Sequence, residues 1–313
     1  MNAAALLRRT VSIFTALLGS AGATGFAAGA ETSTSVENDV AFLGAGRTEK
    51  LDLYRPAPPP EGRRSPALVW IHGGGWTGGT KNEARAKNIC TTAAEAGYVA
   101  VSIDYRLGAG AWPTNLHDCK NAVRYLRAHA ERLRLDPERI AVAGGSAGGH
   151  LALMVALTAG AEEFEPAGAA TPYPGVSSAV RCAVNFYGIT NLATWRNVGA
   201  DGRPKAAHNL SATYLKIFGA EPDEAAVLRS ASPVTHLTRA SVPLLTLHGT
   251  ADTTVDPPQA EELDRVARER GARHQLVLLD GAGHTFDLQK WGKKTLPRDL
   301  RPEFLAFLAQ HLK

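Results

Sequence analysis

The sequence predicts an α/β protein: a mostly parallel, twisted sheet with helices on both faces and a short cap insertion. Three observations carry that prediction. Short continuous apolar runs alternate with segments of helical period along most of the chain. The clearest run, Ala67-Leu68-Val69-Trp70-Ile71, is apolar at every position, as a strand buried on both faces must be. One stretch, 188–240, breaks the rhythm, and the rhythm then resumes. Strand–helix alternation builds a parallel sheet through right-handed crossovers, because a right-twisted strand feeding a helix packs back onto the sheet only that way.

The elements follow in order. Residues 50–54 alternate and read as an early strand, and 56–66 is a Pro/Gly/Arg-rich turn. After the strand at 67–71, residues 81–96 have helical spacing and Gly97 is a C-terminal stop. A strand at 98–103 precedes a helix over 115–133, with Leu116, Ala122, Val123 and Leu126 on its apolar face. Residues 139–143 read as a strand, 146–157 as a helix and 181–186 as a strand. Residues 188–240 have mixed polarity, with a helical piece near 211–218, and read as a cap-like insertion over one end of the sheet. Then come a strand at 243–247, a helix at 258–270, a strand at 275–279 and a terminal helix at 298–312. No internal repeat or second domain interrupts 50–313. Residues 31–49 are a polar N-terminal segment running into the start of the first strand, with 31–39 as a tether.

Residues 1–30 have their own character. Arg8 and Arg9 precede an apolar stretch at 11–18, and small residues end in Ala28-Gly29-Ala30. This is the pattern of a secretory signal peptide, with an apolar part too short to span a bilayer. The expectation is a secreted or periplasmic protein with no stable membrane insertion after signal removal. Among 313 residues, 44% are apolar and 20% charged, enough for a sizeable core. The net charge of +4 comes without a Lys/Arg block or an aromatic-interleaved basic stripe, so no nucleic-acid partner is expected. Cys90, Cys119 and Cys182 all lie in apolar segments and read as small buried hydrophobes, with at most one bridge among them. With no Cys-x-x-Cys or His/Cys cluster, no metal is expected.

In open sheets of this class chemistry gathers beyond the C-terminal strand ends. The 139–143 strand runs into Gly144-Gly145-Ser146-Ala147-Gly148, a G-x-S-x-G at a strand–helix junction. A tight turn there lifts the serine hydroxyl above the sheet, and the helix N-terminus faces its oxygen. The bland alternative is a glycine-rich turn with an N-capping serine. The 67–71 strand ends in His72-Gly73-Gly74-Gly75-Trp76, whose uncovered N–H groups suit an oxyanion. Gly74, Gly75 and Ala147 are the candidate donors, and His72 is assigned to orienting the loop. A phosphate-binding turn would need Gly-Lys-Ser/Thr, which does not follow. The last two strands end in His248-Gly249-Thr250-Ala251-Asp252 and Asp280-Gly281-Ala282-Gly283-His284. Ser146, Asp252 and His284 then follow the chain order nucleophile, acid, base. Asp256 and Asp280 are rivals for the acid, and His248 reads as structural.

Together, His72-Gly73-Gly74-Gly75-Trp76, Asp104-Tyr105-Arg106-Leu107, Gly144 to Ala152, His248 to Asp252 and Gly283-His284 resemble the α/β-hydrolases related to hormone-sensitive lipase. Gly145 before the serine and His150-Leu151-Ala152 after it are more similar to the branch named for bifunctional acetylxylan and feruloyl esterases. The resemblance implies an α/β-hydrolase fold and a serine esterase acting through an acyl-enzyme, with no cofactor. It implies short-chain or aryl esters, or an ester-decorated saccharide such as acetylated or feruloylated plant polysaccharide. Trp76, Trp112 and Tyr187 are candidates to line the substrate pocket, and each could equally be core packing. Arylformamidase-type amide hydrolysis is the alternative chemistry, and a catalytically inactive binding protein the alternative class. Two departures stand out. Many lipase-like relatives carry Asp where this chain has Gly145, and Tyr187-Gly188 leads to Asn191 where relatives often have Asp.

Overall fold

A computed structural model describes residues 33–195, 216–219 and 225–312. The signal-peptide reading of 1–30 and most of the helical piece at 211–218 lie outside them. Eight strands form one sheet: β1 (Ser35–Ala41), β2 (Lys50–Arg55), β3 (Ser65–Ile71), β4 (Val99–Ile103), β5 (Leu135–Gly145), β6 (Cys182–Phe186), β7 (Leu244–Gly249) and β8 (His274–Leu279). Their spatial order is β1-β2-β4-β3-β5-β6-β7-β8. β1 and β2 pair antiparallel at one edge, β2 pairs antiparallel with β4, and all pairs from β4 through β8 are parallel. A small hairpin, β9 (Lys290–Trp291) with β10 (Lys294–Thr295), follows.

The helices are α1 (Ala84–Glu95), α2 (Thr114–Ala128), α3 (Ala130–Leu133), α4 (Ala147–Leu157), α5 (Ala225–Ser230), α6 (Pro258–Arg270) and α7 (Arg301–His311). They cover both faces. Leu116, Val123, Leu151, Val155 and Leu263, from α2, α4 and α6, pack on one side with Val69, Val101 and Val142. Ile89, Cys90, Phe304 and Leu308, from α1 and α7, pack on the other with Leu68, Trp70 and Val184. The alternation of strand side chains between faces sorts each run into these two cores. Cys90, Cys119 and Cys182 are free and buried, as their apolar context suggests. No helix among the described residues is long and apolar enough to cross a membrane.

Three expectations need correction. The polar segment 31–49, with 31–39 read as a tether, contains the edge strand β1. Its Ser, Glu, Asn and Asp residues are poor strand formers, and its exposed face carries no apolar alternation. It is held by main-chain pairing with β2 and by Lys81. The Lys81 ammonium is buried 2.7 Å from Asp52 and 2.8 Å from Asp39. Burial alone would lower its pKa, but the two carboxylates outweigh burial and raise it. The helix expected over 81–96 therefore starts at Ala84, since Lys81 belongs to the loop it anchors. Gly97, with φ +93°, stops it as expected. The helix expected over 115–133 breaks at His129 into α2 and α3.

The topology decides where a site can form. From β3 the chain moves outward to β4, then returns past β3 to β5. The loops leaving β3 and β5 therefore diverge, and a crevice opens between adjacent strands at their C-terminal ends. Register keeps the ends level: Ile71 pairs with Gly144, Gly145 with Phe186, Phe186 with Leu247, and Gly249 with Leu279.

Candidate active site

Ser146 sits between β5 and α4 with φ 57° and ψ −122°. A β-carbon is strained there, and the strain holds the hydroxyl out of the turn. The following turn must come very close to β3: a Cβ on Gly148 would lie 2.2 Å from the Ile71 carbonyl oxygen and 2.4 Å from that of His72. Only glycine lets the α4 N-terminus and the β3 loop approach this far.

Asp252 and His284 follow the ends of β7 and β8, the last two strands of the sheet. The loops after β7 and β8 are tied together, Thr250 N–H donating to Leu279 O at 3.0 Å and Ala251 N–H to Ala282 O at 2.9 Å. Across that junction His284 Nδ1–H donates to Asp252 Oδ2 at 2.6 Å. Ser146 Oγ–H then donates to His284 Nε2 at 2.9 Å. This is the tautomer in which one ring nitrogen faces the carboxylate and the other is free to accept. The other carboxylate oxygen, Oδ1, accepts N–H groups from Thr254 at 2.8 Å and Val255 at 3.0 Å. Asp252 is buried, so its charge acts on the imidazole with little screening. Of the two rivals, Asp280 accepts from Thr250 Oγ1 at 3.2 Å, across to the loop after β7. Asp256 lies at the start of α6, where its carbonyl accepts from Gln259 N. His248 is buried with Nε2–H donating to Val255 O at 2.9 Å, and burial lowers its pKa. It supports the Asp252 turn as a neutral ring.

Ser146 and His284 open into a cavity of about 260 Å³ that Gly74 and Gly75 also line. Ala147 is the first residue of α4, so its N–H has no intrahelical acceptor. Gly74 and Gly75 thus share a cavity with the serine, and Ala147 follows it in the chain. His72, below them, is buried, stacked on Tyr105 at 4.4 Å, and bonds Gly73 O through Nδ1. Burial lowers its pKa, and a neutral ring in that place holds the loop. A larger cleft, about 580 Å³, opens elsewhere around Arg63, Arg64 and Arg139 and contains none of these groups.

Of the three aromatic candidates, only Tyr187 lines the cavity. Trp76 has 0% exposure and packs edge-on to His150, Trp195 and Phe218. Trp112 packs against His150, Phe164 and Phe218 on the same side. Both lie behind the site because glycines, not the following tryptophan, face the serine. Tyr187 also braces the base. Its hydroxyl donates to Phe286 O at 2.8 Å and its ring meets His284 edge-on at 4.8 Å. The same residue explains the first sequence departure. A Cβ on Gly145 would lie 2.9 Å from the Tyr187 hydroxyl, so the phenol occupies the space a side chain at 145 would need.

At the second departure, the described chain is tied to α6. Asn191 Nδ2–H donates to Glu262 at 2.8 Å, and the Gln259 amide oxygen accepts from Thr190 N and Asn191 N at 2.9 Å each, both anchors lying on α6. Trp195 Nε1–H donates to Thr254 O at 3.0 Å, beside the cavity. Sequence reading missed Trp70, Glu83, Arg85, Thr254 and Thr285 as lining residues. No motif marks them; they come from separate stretches that meet only in the fold.

A BD-FAE family model matches residues 51–266. Esterase LipQ of Mycobacterium tuberculosis is 28% identical over 276 residues, which is 87% of this chain and 62% of that protein. The chain spans about three fifths of the length of the curated relatives it matches. A truncated form of a carbohydrate esterase from gut microbiota has a TM-score of 0.74 at 23% identity, over 90% of this chain and 98% of that one. A thermophilic esterase from Thermogutta terrifontis, Est2, solved with butyrate bound, has a TM-score of 0.62 at 26% identity, over 89% and 91%. With the strand order above, these superpositions show the α/β-hydrolase fold.

Proposed function

The chain belongs to the BD-FAE family, and from that membership and the relay around Ser146 we propose that it is a carboxylic ester hydrolase working through a serine acyl-enzyme. The observation that carries the reading is the continuous pair of hydrogen bonds, 2.9 Å from Ser146 to His284 and 2.6 Å from His284 to Asp252. Ser146 Oγ attacks the acyl carbon while His284 Nε2 takes its proton. The carbonyl electron pair moves onto oxygen, toward the N–H groups of Gly74, Gly75 and Ala147. One such donor is worth roughly 3–4 kcal/mol of barrier in a preorganised site. The C–O bond breaks, and the leaving alkoxide takes the proton from His284. Water then attacks the acyl carbon while His284 takes its proton, the bond from that carbon to Ser146 Oγ breaks, and the serine recovers the proton from His284 as the carboxylic acid leaves. Asp252 holds the imidazole tautomer and stabilises its cation.

The cavity supports a compact substrate. Ligand sites commonly run from roughly 300 Å³ upward, and this one is about 260 Å³. Among the described residues, its apolar lining is aromatic, Trp70 and Tyr187, with no Leu, Ile, Val or Met, which suits a short or aryl acyl group. LipQ is named an esterase, and Est2 was solved with butyrate, in keeping with a short acyl group. The finer reading is removal of acetyl or feruloyl groups from plant polysaccharide by an exported enzyme, resting on the family resemblance and the pattern of residues 1–30. The test is hydrolysis of p-nitrophenyl acetate, butyrate and octanoate by wild type and Ser146→Ala, with fluorophosphonate labelling. We expect acetate or butyrate to be fastest and the variant to lose both label and nearly all turnover. Equal residual rates in the two proteins would reject the serine mechanism, and octanoate fastest would reject the short-acyl reading.

A further inference from the structure

The Ser146 cavity carries one ion pair that the relay does not use. Arg85 Nη2 lies 2.5 Å from Glu83 Oε2. Both side chains line the cavity, and they are only 31% and 19% exposed. A surface pair of this kind would be worth little, but here water is partly excluded and the pair shares its cavity with the nucleophile. Trp70 lines the same cavity with 1% exposure, its indole packed beside the pair.

We propose that Glu83 and Arg85 form a polar subsite that reads free hydroxyl groups next to the scissile ester, selecting neutral polyol esters. The inference rests on the serine esterase reading above and names what that site selects. Charge decides the class. The carboxylate and guanidinium neutralise one another, so the wall has no net charge to offer. A carboxylate ligand approaching Arg85 would meet Glu83, and an ammonium approaching Glu83 would meet Arg85. A hydroxyl meets neither penalty, because it donates to the Glu83 carboxylate and accepts from an Arg85 N–H at once. The guanidinium has five N–H donors, and one contact to Glu83 leaves others for a ligand. Adjacent hydroxyls on a sugar ring present donors and acceptors at the spacing such a pair can bridge. The apolar part of the lining comes from the Trp70 and Tyr187 rings, with no Leu, Ile, Val or Met among the described residues.

The test compares kcat/KM on a mono-O-acetylated methyl xyloside, which keeps free hydroxyls, with the fully acetylated glycoside, which has none. The proteins are wild type, Arg85→Gln and Glu83→Gln, with p-nitrophenyl acetate on wild type as the check of esterase chemistry. A hydrogen bond to a charged group is worth enough for about a tenfold effect. Wild type is expected to prefer the mono-acetyl sugar about tenfold, and each variant to bring that ratio to within about threefold of one, mainly through KM. A wild-type ratio near one, or a ratio unchanged in both variants, overturns the subsite. So does a wild-type preference for an acetylated uronate over the neutral sugar. Absence of p-nitrophenyl acetate turnover in wild type would instead overturn the esterase reading itself, and the subsite with it.

Discussion

Replacing Asp252 by asparagine probes the relay at its most constrained point. The two side chains are nearly the same shape, so the effect must come from hydrogen-bond polarity. Asp252 Oδ1 accepts the Thr254 and Val255 N–H groups. An asparagine amide can satisfy those donors only with its oxygen in that place. Its NH2 then occupies the position of Oδ2, 2.6 Å from His284 Nδ1. A donor there requires Nδ1 to be the bare nitrogen, which moves the ring proton to Nε2. Nε2 would then donate to Ser146 Oγ at 2.9 Å instead of accepting from it. The serine keeps its neighbours and loses its base. The expected loss in kcat is about 10⁴-fold, close to 5.5 kcal/mol of barrier. The fold should survive, because the two backbone N–H bonds are kept. The assay is kcat on p-nitrophenyl acetate, with thermal unfolding alongside. An Asp252→Asn variant within tenfold of wild type, at unchanged thermal midpoint, would refute the tautomer argument and the assignment of Asp252 as the acid.

Two further outcomes follow from close packing around the site. Gly148→Ala places a methyl group within 2.4 Å of two β3-loop carbonyl oxygens. It should push the oxyanion loop off the serine and lower kcat by about 100-fold, and a kcat within threefold of wild type would mean the loop position is not set by this contact. His150 is buried behind the nucleophile helix with Nε2 bonded to Ala231 O, and burial takes its pKa down to about 4. Between an ordinary value of about 6.5 and about 4, the unfolded chain binds a proton the folded one refuses. Stability is therefore full above about pH 6.5 and falls as pH drops toward about 4, by about 3 kcal/mol from this group. Urea unfolding of wild type and His150→Gln at pH 7, 5.5 and 4.5 should show the steeper decline in wild type; parallel declines would contradict it.

Much of this protein was legible in its sequence because the determining signals are local. Residues 67–71 are apolar throughout, and a strand buried on both faces leaves that mark wherever it sits. The strained turn at Ser146 and the open loop at Gly74 and Gly75 need glycine at fixed offsets, so they too announce themselves. The order of Ser146, Asp252 and His284 follows from which strand ends come first along the chain. What the sequence could not show depends on which distant residues meet. β1 is a strand because β2 and Lys81 hold it, not because its polar residues favour one. Trp76 follows the oxyanion glycines directly yet turns into the core, whereas Trp70, Glu83 and Arg85, which no motif marks, line the cavity. Tyr187 had a place in the pocket by sequence, but its hold on the His284 loop and its claim on the space beside Gly145 exist only across the folded sheet. Local chemistry is encoded by neighbours in the chain, while pocket walls and supports are assembled from segments separated by tens of residues, and only tertiary packing chooses which of them touch.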